Sequence, residues 1–444
     1  MKKLMKIQVE DAAKMSSGGD LPNYSLAGTG KTLSTLEAFR LSGHKRGLVI
    51  APNIALTMWK EEIEEWLGAS AQILRKGADI IDKGVDFVIA PYDLAAASQF
   101  SSLYKEFNEG ALILDEADRL RGHTSRRSQA VFGRNHDGQG GFSEKFDQVW
   151  SLSGNPIYRF HDDLWAQLVA LYPDVFAKYH SLEYNDFVTN FCVSKIKKYH
   201  PRMQPTLAII ASKDEAIIRH ILDKEIGVIR RLEAPDLPGL TTTELYPKLG
   251  IIPAAYGHRV NNMTEQQLLK ALVGTMEGEE DEDFNMAAIW QAVALAKVKS
   301  GAEHIADCAH SAPVLVGVWH NSVGQAYYEE LTKQGLKARR VYGATPAGER
   351  EEIRDLFNAG EIDAIIGQMQ AMGVSWNLQK ASNRVVIAQD HFSPSIIEQF
   401  YKRVYRTGQT EKTHLDFLTS QHPLDVAIAK IRKSRARSQE KSLG

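Results

Sequence analysis

The stretch Ala27-Gly28-Thr29-Gly30-Lys31-Thr32 has the composition of a loop that binds phosphate groups. Its small residues let successive backbone N–H groups point at one anion, while the lysine and the last hydroxyl supply a cation for the β- and γ-phosphates and an oxygen ligand for magnesium. Apolar side chains at helical spacing follow, so the loop is predicted to open onto a helix N-terminus, which favours anions. Ser25 replaces the glycine of the full pattern, and a Gly-Thr-Gly turn beside a surface lysine is the alternative.

Length and composition are those of an ordinary globular chain. The 444 residues, 43% of them hydrophobic, suffice for two or three cores, and a net charge of -2 means that any nucleic-acid contact is a local patch. The two cysteines, Cys192 and Cys308, are far apart and indicate neither a disulfide framework nor a zinc site. No signal peptide or membrane-spanning run is present, so we expect a cytoplasmic or nucleoid-associated protein, neither secreted nor in a membrane.

Strand and helix patterns alternate after the loop. Residues 48–52, 87–92 and 111–114 read as short buried strands and 54–67 as a helix, which predicts a parallel sheet. The loops of such a sheet gather at the carboxyl ends of its strands, the edge that also carries the phosphate-binding loop.

An acidic sequence, Asp115-Glu116-Ala117-Asp118, comes directly after the strand at 111–114. The first carboxylate is placed to hold magnesium and the second to orient and polarise an attacking water, as magnesium-dependent hydrolysis of a nucleoside triphosphate requires. A simple acidic turn is the alternative. The next predicted strand, 146–152, runs into Ser153-Gly154-Asn155-Pro156, which alone would be only a turn.

In this order, four segments resemble the first motor lobe of superfamily 2 helicases, and specifically of the Swi/Snf-type double-stranded DNA translocases. They are AGTGKT at 27–32, VIAPNIALTMWKEEIEEW at 49–66, ALILDEADRL at 111–120 and WSLSGNP at 150–156. The chain departs from the usual family pattern at two places. One is Leu26-Ala27, before the phosphate-binding loop, and the other is Ser153-Gly154-Asn155-Pro156, where members usually carry Thr-Gly-Thr-Pro.

The resemblance implies an α/β fold of two RecA-like parallel-sheet lobes, a P-loop NTPase with helical insertions. We expect the ATP-binding lobe 1 at 1–158, its helical protrusion at 159–236, a linker and helical insertion at 237–310, lobe 2 at 311–430 and a basic, frayed tail at 431–444.

A second set of candidate residues lies near the end of the chain. A helix is predicted from Pro394 to Arg406, closed by Gly408, and the spacing of Gln399, Arg403 and Arg406 puts them on one face. Alone, this would be a solvated stripe. The pattern Gln-x3-Arg-x2-Arg-x-Gly-Gln resembles motif VI of the family, which implies that both arginines reach the transferring phosphate, with Arg406 as the arginine finger.

The implied cofactors are ATP and magnesium. We expect Lys31 and Glu116 to serve catalysis, Thr32 and Asp115 to bind the metal, and Gln8, in a short amphipathic lead-in, to read the adenine edge. A solvated glutamine is an equal alternative for the last of these.

The implied partner is duplex or forked DNA, held mainly through its backbone, with RNA less expected. A solvated loop is a nearly equal alternative for the basic run at 195–202. The candidate contacts are Pro52, Trp59, Tyr92, Lys197, Lys198, Arg202, Asn321, Gly373 and Asn377.

Three functions follow from these residues. The first is an ATP-dependent translocase that remodels or reanneals duplex DNA, similar to the compact annealing-helicase branch, with a protein partner in place of accessory domains. The second is a strand-separating helicase on DNA or RNA. The third is a nucleotide-gated clamp that recruits a partner, against which the intact Lys31, Asp115, Glu116 and Arg406 argue.

Overall fold

The computed structural model describes residues 3–26, 28–82, 84–97, 110–133, 141–197, 206–231, 237–253, 267–268, 271, 286–372 and 376–443. It forms two compact units, Met1–Ala234 with Ser438–Gly444, and Pro235–Arg437. Each unit is an α/β fold on a parallel sheet. In the described part of the chain, every helix is too short or too polar to cross a membrane.

The first unit is built on a sheet with the order β2-β3-β1-β4-β5, in which all described pairs are parallel. Its strands are β1 Gly47–Ala51, β2 Ala71–Ile73, β3 Phe87–Pro91, β4 Ala111–Asp115 and β5 Gln148–Leu152. Strands β1, β3 and β5 are buried along their whole length, as expected of parallel strands covered on both faces. The predicted parallel sheet is confirmed. Strand β2 was not predicted, because three residues carry too little periodicity.

The helices of this unit include a separate cluster after β5. They are α1 Lys6–Ser16, α2 Lys31–Ser42, α3 Leu56–Leu67, α4 Tyr92–Ala95, α5 Arg126–Phe132, α6 Trp165–Leu171, α7 Pro173–Ala177, α8 Tyr184–Phe191 and α9 Glu215–His220, the last continued by a π-helical turn, Ile221–Ile226. Phe176, Phe187 and Ile221 belong to one buried core of the later helices. The helices predicted in this region are thus present.

The basic run at 195–202 is not simply a loop. Its first residues belong to β6 Cys192–Lys197, which pairs antiparallel with β7 Thr206–Ser212. Lys198 and Arg202 lie outside the described residues.

The second unit has the sheet order β10-β11-β9-β12-β13-β8, again with parallel pairs. Its strands are β8 Leu240–Leu245, β9 Val314–Val318, β10 Ala338–Val341, β11 Ala364–Gln368, β12 Arg384–Ile387 and β13 Thr413–Leu418. Its helices are α10 Met286–Ala296, α11 Val298–Ala309, α12 Asn321–Lys333, α13 Ala347–Asn358, α14 Pro394–Tyr401 and α15 Pro423–Leu443. The segment at 238–246, predicted as a linker, instead contains β8, which pairs with β13.

A buried ion pair joins three elements of this unit. The side chain of Lys297, between α10 and α11, is 0% exposed, and its Nζ lies 2.8 Å from Asp425 Oδ2. It also donates to the carbonyl of Leu418 at 2.8 Å, while Asp425 accepts hydrogen bonds from the backbone and hydroxyl of Ser420. The chain from Met286 to Ala309 therefore forms two helices, with a buried charge at their junction.

The tail predicted as a frayed basic helix at 431–444 is helical to Leu443, but its described end is not frayed. Helix α15 continues to Leu443, and Ser442 is 1% exposed. Its hydroxyl lies 2.8 Å from Nε2 of His161, and both residues belong to the first unit, which includes the end of this helix from Ser438. Ser442 is thus held by a buried contact, while Glu440 and Lys441 beside it are exposed.

Replacing Lys297 by methionine should destabilise the second unit by about 3 to 5 kcal/mol, because Asp425 is left as an unpaired buried charge. Adding Asp425→Asn should recover part of this loss. The opening free energy from native-state hydrogen exchange of peptides in β13 and α15 measures both effects. Lys333→Met is the control, since its ion pair with Glu330 is exposed. An equal loss in this control would contradict the assignment.

Candidate nucleotide site

Backbone hydrogen bonds fix the chain that leads into the phosphate-binding loop. Asn23 N donates to the carbonyl of Ser151 at 2.8 Å, and Tyr24 N to that of Ile229 at 2.7 Å. The start of the loop is therefore aligned with β5 on one side and with the segment after the helical cluster on the other.

Arg231 ties this segment to the first helix. Its guanidinium lies 2.7 Å from Asp11 and 3.1 Å from Glu10, and its backbone N–H donates to the hydroxyl of Ser25 at 3.0 Å. The sequence analysis did not select Arg231, since one arginine in a run of mixed residues carries no local signal.

Gln8 packs directly against the loop. It is 3% exposed, accepts a hydrogen bond from the backbone of Met5 at 2.8 Å, and approaches the carbonyl of Gly30 with its Nε2 at 3.4 Å. Gly30 has a φ of 83°, and a Cβ there would lie 2.0 Å from the same nitrogen. A solvated Gln8 is thus wrong, and glycine is required at position 30 on both steric and backbone grounds. The adenine role of Gln8 stays a prediction.

Helix α2 begins at Lys31, so the loop does open onto a helix N-terminus. Nζ of Lys31 donates to the carbonyls of Ser25 at 2.7 Å and Leu26 at 3.2 Å, which holds the cation over the loop. Thr32 lies half-buried in the first turn. Gly28 and the 2%-exposed Thr29 precede it. Dipole, amides and cation together make an anion site.

Ala27, the first residue predicted for this loop, lies outside the described residues.

Asp115 is the last residue of β4 and is surrounded by donors. Its Oδ2 accepts a hydrogen bond from Trp59 Nε1 at 2.9 Å, and its carbonyl accepts one from the hydroxyl of Tyr92 at 2.8 Å. Burial raises the pKa of Asp115 to about 6, the charge of Glu116 acts in the same direction, and Trp59 and Lys31 oppose them. A carboxylate whose charge is poorly solvated is well placed to gain from a cation.

Trp59 and Tyr92 are therefore corrected as nucleic-acid contacts. Their side chains are 0% and 3% exposed, so neither has a surface to offer DNA. Pro52 is buried as well. The helix that carries Trp59 turns its apolar face inward, and the indole N–H finds its acceptor in Asp115.

A second carboxylate, Asp118, was not predicted as a site residue. It is 8% exposed and accepts a hydrogen bond from the hydroxyl of Ser153 at 3.2 Å. Burial and the nearby Glu116 raise the pKa of Asp118 to about 7. The contact connects the loop after β4 with the loop after β5. Glu116 between the two carboxylates has a φ of 51°, a conformation costly for a residue with a side chain.

The second arginine set differs from its predicted geometry. Helix α14 ends at Tyr401, so Arg403 and Arg406 lie beyond it and do not share a helical face with Gln399. Nε of Arg403 donates to the carbonyl of Gln399 at 2.9 Å, satisfying a group that a helix end leaves open. Nη1 of Arg406 donates to the carbonyl of Trp376 at 3.2 Å, and burial lowers the pKa of this partly exposed guanidinium.

Other predicted nucleic-acid contacts stay untested. Asn321 and Asn377 are exposed, and the carbonyl of Asn377 accepts a hydrogen bond from Asn358. Lys197 is the last residue of β6, and Gly373 lies outside the described residues.

A parallel sheet, a glycine-rich loop at a helix N-terminus and an Asp-Glu pair at the end of a neighbouring strand define the class of P-loop nucleoside triphosphatases. Two family models identify the family within this class. Residues 25–223 match the SNF2-related domain, and residues 302–408 match the helicase conserved C-terminal domain. The chain therefore belongs to the Swi/Snf-type ATPases of superfamily 2, whose members are nucleic-acid-stimulated ATPases.

Several curated relatives align with most of this chain. The SWI/SNF-related matrix-associated actin-dependent regulator of chromatin subfamily A-like protein 1 of Xenopus tropicalis is 23% identical over 90% of this chain and 40% of its own length. The DNA annealing helicase and endonuclease ZRANB3 of Bos taurus is 22% identical over 86% and 35%. The chain thus spans about two fifths of the length of such relatives.

Among solved structures, the Sulfolobus solfataricus SWI2/SNF2 ATPase core in complex with double-stranded DNA is 18% identical, with a TM-score of 0.43, and the match covers 99% of this chain and 96% of that one.

Trp59→Phe should shift the acidic limb of ATP hydrolysis to higher pH by roughly one unit, because a hydrogen bond to a charged group is worth about 1.5 to 3 kcal/mol. Losing the donor raises the pKa of Asp115 further, so the protonated, metal-poor form extends to higher pH. The pH profile of kcat/KM for ATP measures this shift.

Trp66→Phe is the matched control on the same helix, since its indole donates to Glu37 instead. An unchanged acidic limb in Trp59→Phe, or an equal shift in the control, would refute a role for Trp59 in setting this pKa.

Proposed function

We propose that this chain hydrolyses ATP to translocate along double-stranded DNA. The observation that carries the proposal is the pairing, within one unit, of the loop that holds Lys31 with the poorly solvated carboxylate of Asp115, whose pKa is raised by burial while the charge of that lysine opposes the rise. The cation of Lys31, the carboxylate of Asp115 and the N-terminus of α2 are the groups that bind a magnesium–nucleotide complex in such ATPases.

The residues present fit magnesium and a triphosphate. Gly30 lacks the side chain that would fill the loop, and the carboxylate of Asp115 is an oxygen donor of the kind that magnesium prefers. Thr32 and Asp115 would hold the metal, which neutralises charge on the phosphates. Lys31 then orients the phosphate chain, and Glu116 accepts a hydrogen bond from the attacking water and polarises it.

Two arginines of the second unit are also proposed to take part in hydrolysis. We propose that Arg406 contacts the transferring phosphate and that Arg403 supports it by capping the helix that ends at Tyr401. A guanidinium that approaches phosphate only in the ATP state makes a charge-assisted contact that is lost on hydrolysis, and this difference drives movement.

DNA is the proposed substrate because the printed name of one relative reported above describes it as a DNA annealing helicase. Duplex or forked DNA fits a grip through the phosphate backbone, for which Asn321 and Asn377 are exposed candidates. Annealing or branch remodelling, a strand-separating activity, RNA as the substrate and recruitment of a protein partner are outcomes that the experiment distinguishes.

Lys31→Ala should lower ATP turnover at least about a hundredfold, and Arg406→Ala about a thousandfold, because each removes a charge that the transition state needs. Turnover is measured without nucleic acid and with single strand, duplex, fork and RNA, beside triplex displacement and strand unwinding. Lys45→Ala and Arg339→Ala, which remove exposed side chains of the same types, are the controls.

We expect stimulation by duplex or forked DNA and triplex displacement without processive unwinding. Stimulation by RNA alone, or unwinding of long duplexes, would replace the proposal by a strand-separating helicase. Absence of turnover under every condition would leave a nucleotide-gated clamp.

A further inference from the structure

A side-chain cluster in the second unit has the composition of a transition-metal site. His304 and Cys308 lie four residues apart on α11, and Asp416 lies on β13. Nε2 of His304 is 3.0 Å from Asp416 Oδ2 and 3.5 Å from Cys308 Sγ, and the three ligand atoms all lie within 4.8 Å of one another.

The two separations measured from Nε2 of His304 are close to those of ligands around one ion. Bonds of about 2.0 to 2.3 Å to nitrogen, oxygen and sulfur at tetrahedral angles put the ligand atoms about 3.4 to 3.6 Å apart. The distance from nitrogen to sulfur already has this value, and that from nitrogen to oxygen has to open by a few tenths of an ångström.

The fold holds two of the ligands and leaves an entry. Cys308 and Asp416 are 8% and 7% exposed, whereas the side chain of His304 is 30% exposed. Cys308 packs in the core that α11 forms with β9, and Asp416 is fixed in a strand with neighbours on both sides. An ion can therefore arrive from solvent at His304 and keep a water as its fourth ligand.

We propose that His304, Cys308 and Asp416 bind a zinc-class divalent ion. One imidazole, one thiolate and one carboxylate favour zinc over magnesium, because thiolate and imidazole are softer donors than magnesium accepts. Histidine and cysteine coordinate as the neutral imidazole and the thiolate, so the ion displaces protons when it binds.

The site is distinct from the nucleotide site. Its ligands lie where α11 covers the sheet, whereas the motif residues follow the carboxyl ends of strands. Occupancy should stabilise the second unit through mass action rather than take part in hydrolysis.

The test uses Co²⁺ as a spectroscopic probe on the chelator-treated full chain. Wild type should bind one equivalent with the charge-transfer absorption of a cobalt–thiolate bond, and Zn²⁺ but not excess Mg²⁺ should displace it. Cys308→Ser should abolish the band, while His304→Gln and Asp416→Asn should weaken binding at least about tenfold. Cys192→Ser removes the other thiol, which is also buried, and should keep the band.

Added zinc should also raise the melting temperature of wild type and Cys192→Ser but not of Cys308→Ser. ATP turnover with magnesium but without zinc, measured in the same preparations, should be equal in wild type and Cys308→Ser. If Cys308→Ser does not fold, His304→Gln gives the same comparison on an exposed ligand. No thiolate band in wild type, or a band that survives loss of Cys308, would overturn the proposal and leave the cluster as an ion pair.

Discussion

A carboxylate that is poorly solvated at the end of a buried strand is the constraint on which the nucleotide-binding unit depends. The four residues of β4 before Asp115 are fully buried, and little water reaches the charge that follows them. Such a charge costs free energy unless donors surround it. Trp59 on α3 donates to the carboxylate, Tyr92 fixes its backbone, and Lys31 supplies a positive charge. The residues that interact with Asp115 thus come from three segments, which the parallel sheet brings to one edge.

The phosphate-binding loop cannot fix its own conformation, because a run of glycine and small residues has no core of its own. Contacts with residues outside the loop fix its position. Gln8 fills the space beside Gly30, and Arg231 connects the approach to the loop with Asp11. Arg231 and Asp11 are 220 residues apart in sequence, so the position of the loop depends on the folded helical cluster, which brings Arg231 back to it. Preorganised amides are what make an anion site effective.

The difference between residues in short sequence motifs and residues that meet only in the folded chain explains what could be predicted. Lys31 and Asp115 are recognisable because each belongs to a motif of consecutive residues. Trp59 was assigned to DNA because an aromatic residue on a helix looks the same whether its indole faces solvent or a carboxylate. The arginine pattern continued past Tyr401 in sequence, but Arg403 itself caps the helix there. Strand β8 was read as a linker because its threonines are partly exposed, and an edge strand carries a weak apolar signal.

The cluster around Cys308 could not be predicted from the sequence either. Rules for metal sites in a sequence rely on ligands that lie close together, and Cys308 has no cysteine near it. His304 and Cys308 become neighbours only through one turn of helix, and Asp416, 112 residues beyond His304, joins them only because β13 pairs into the sheet between β12 and β8. The buried pair of Lys297 and Asp425 arises in the same way at the other end of α11. Helix α11 is thus held to the sheet by polar contacts at both ends. An ion bound by His304 and Cys308 would strengthen one of them while leaving the loops that carry the chemistry unchanged.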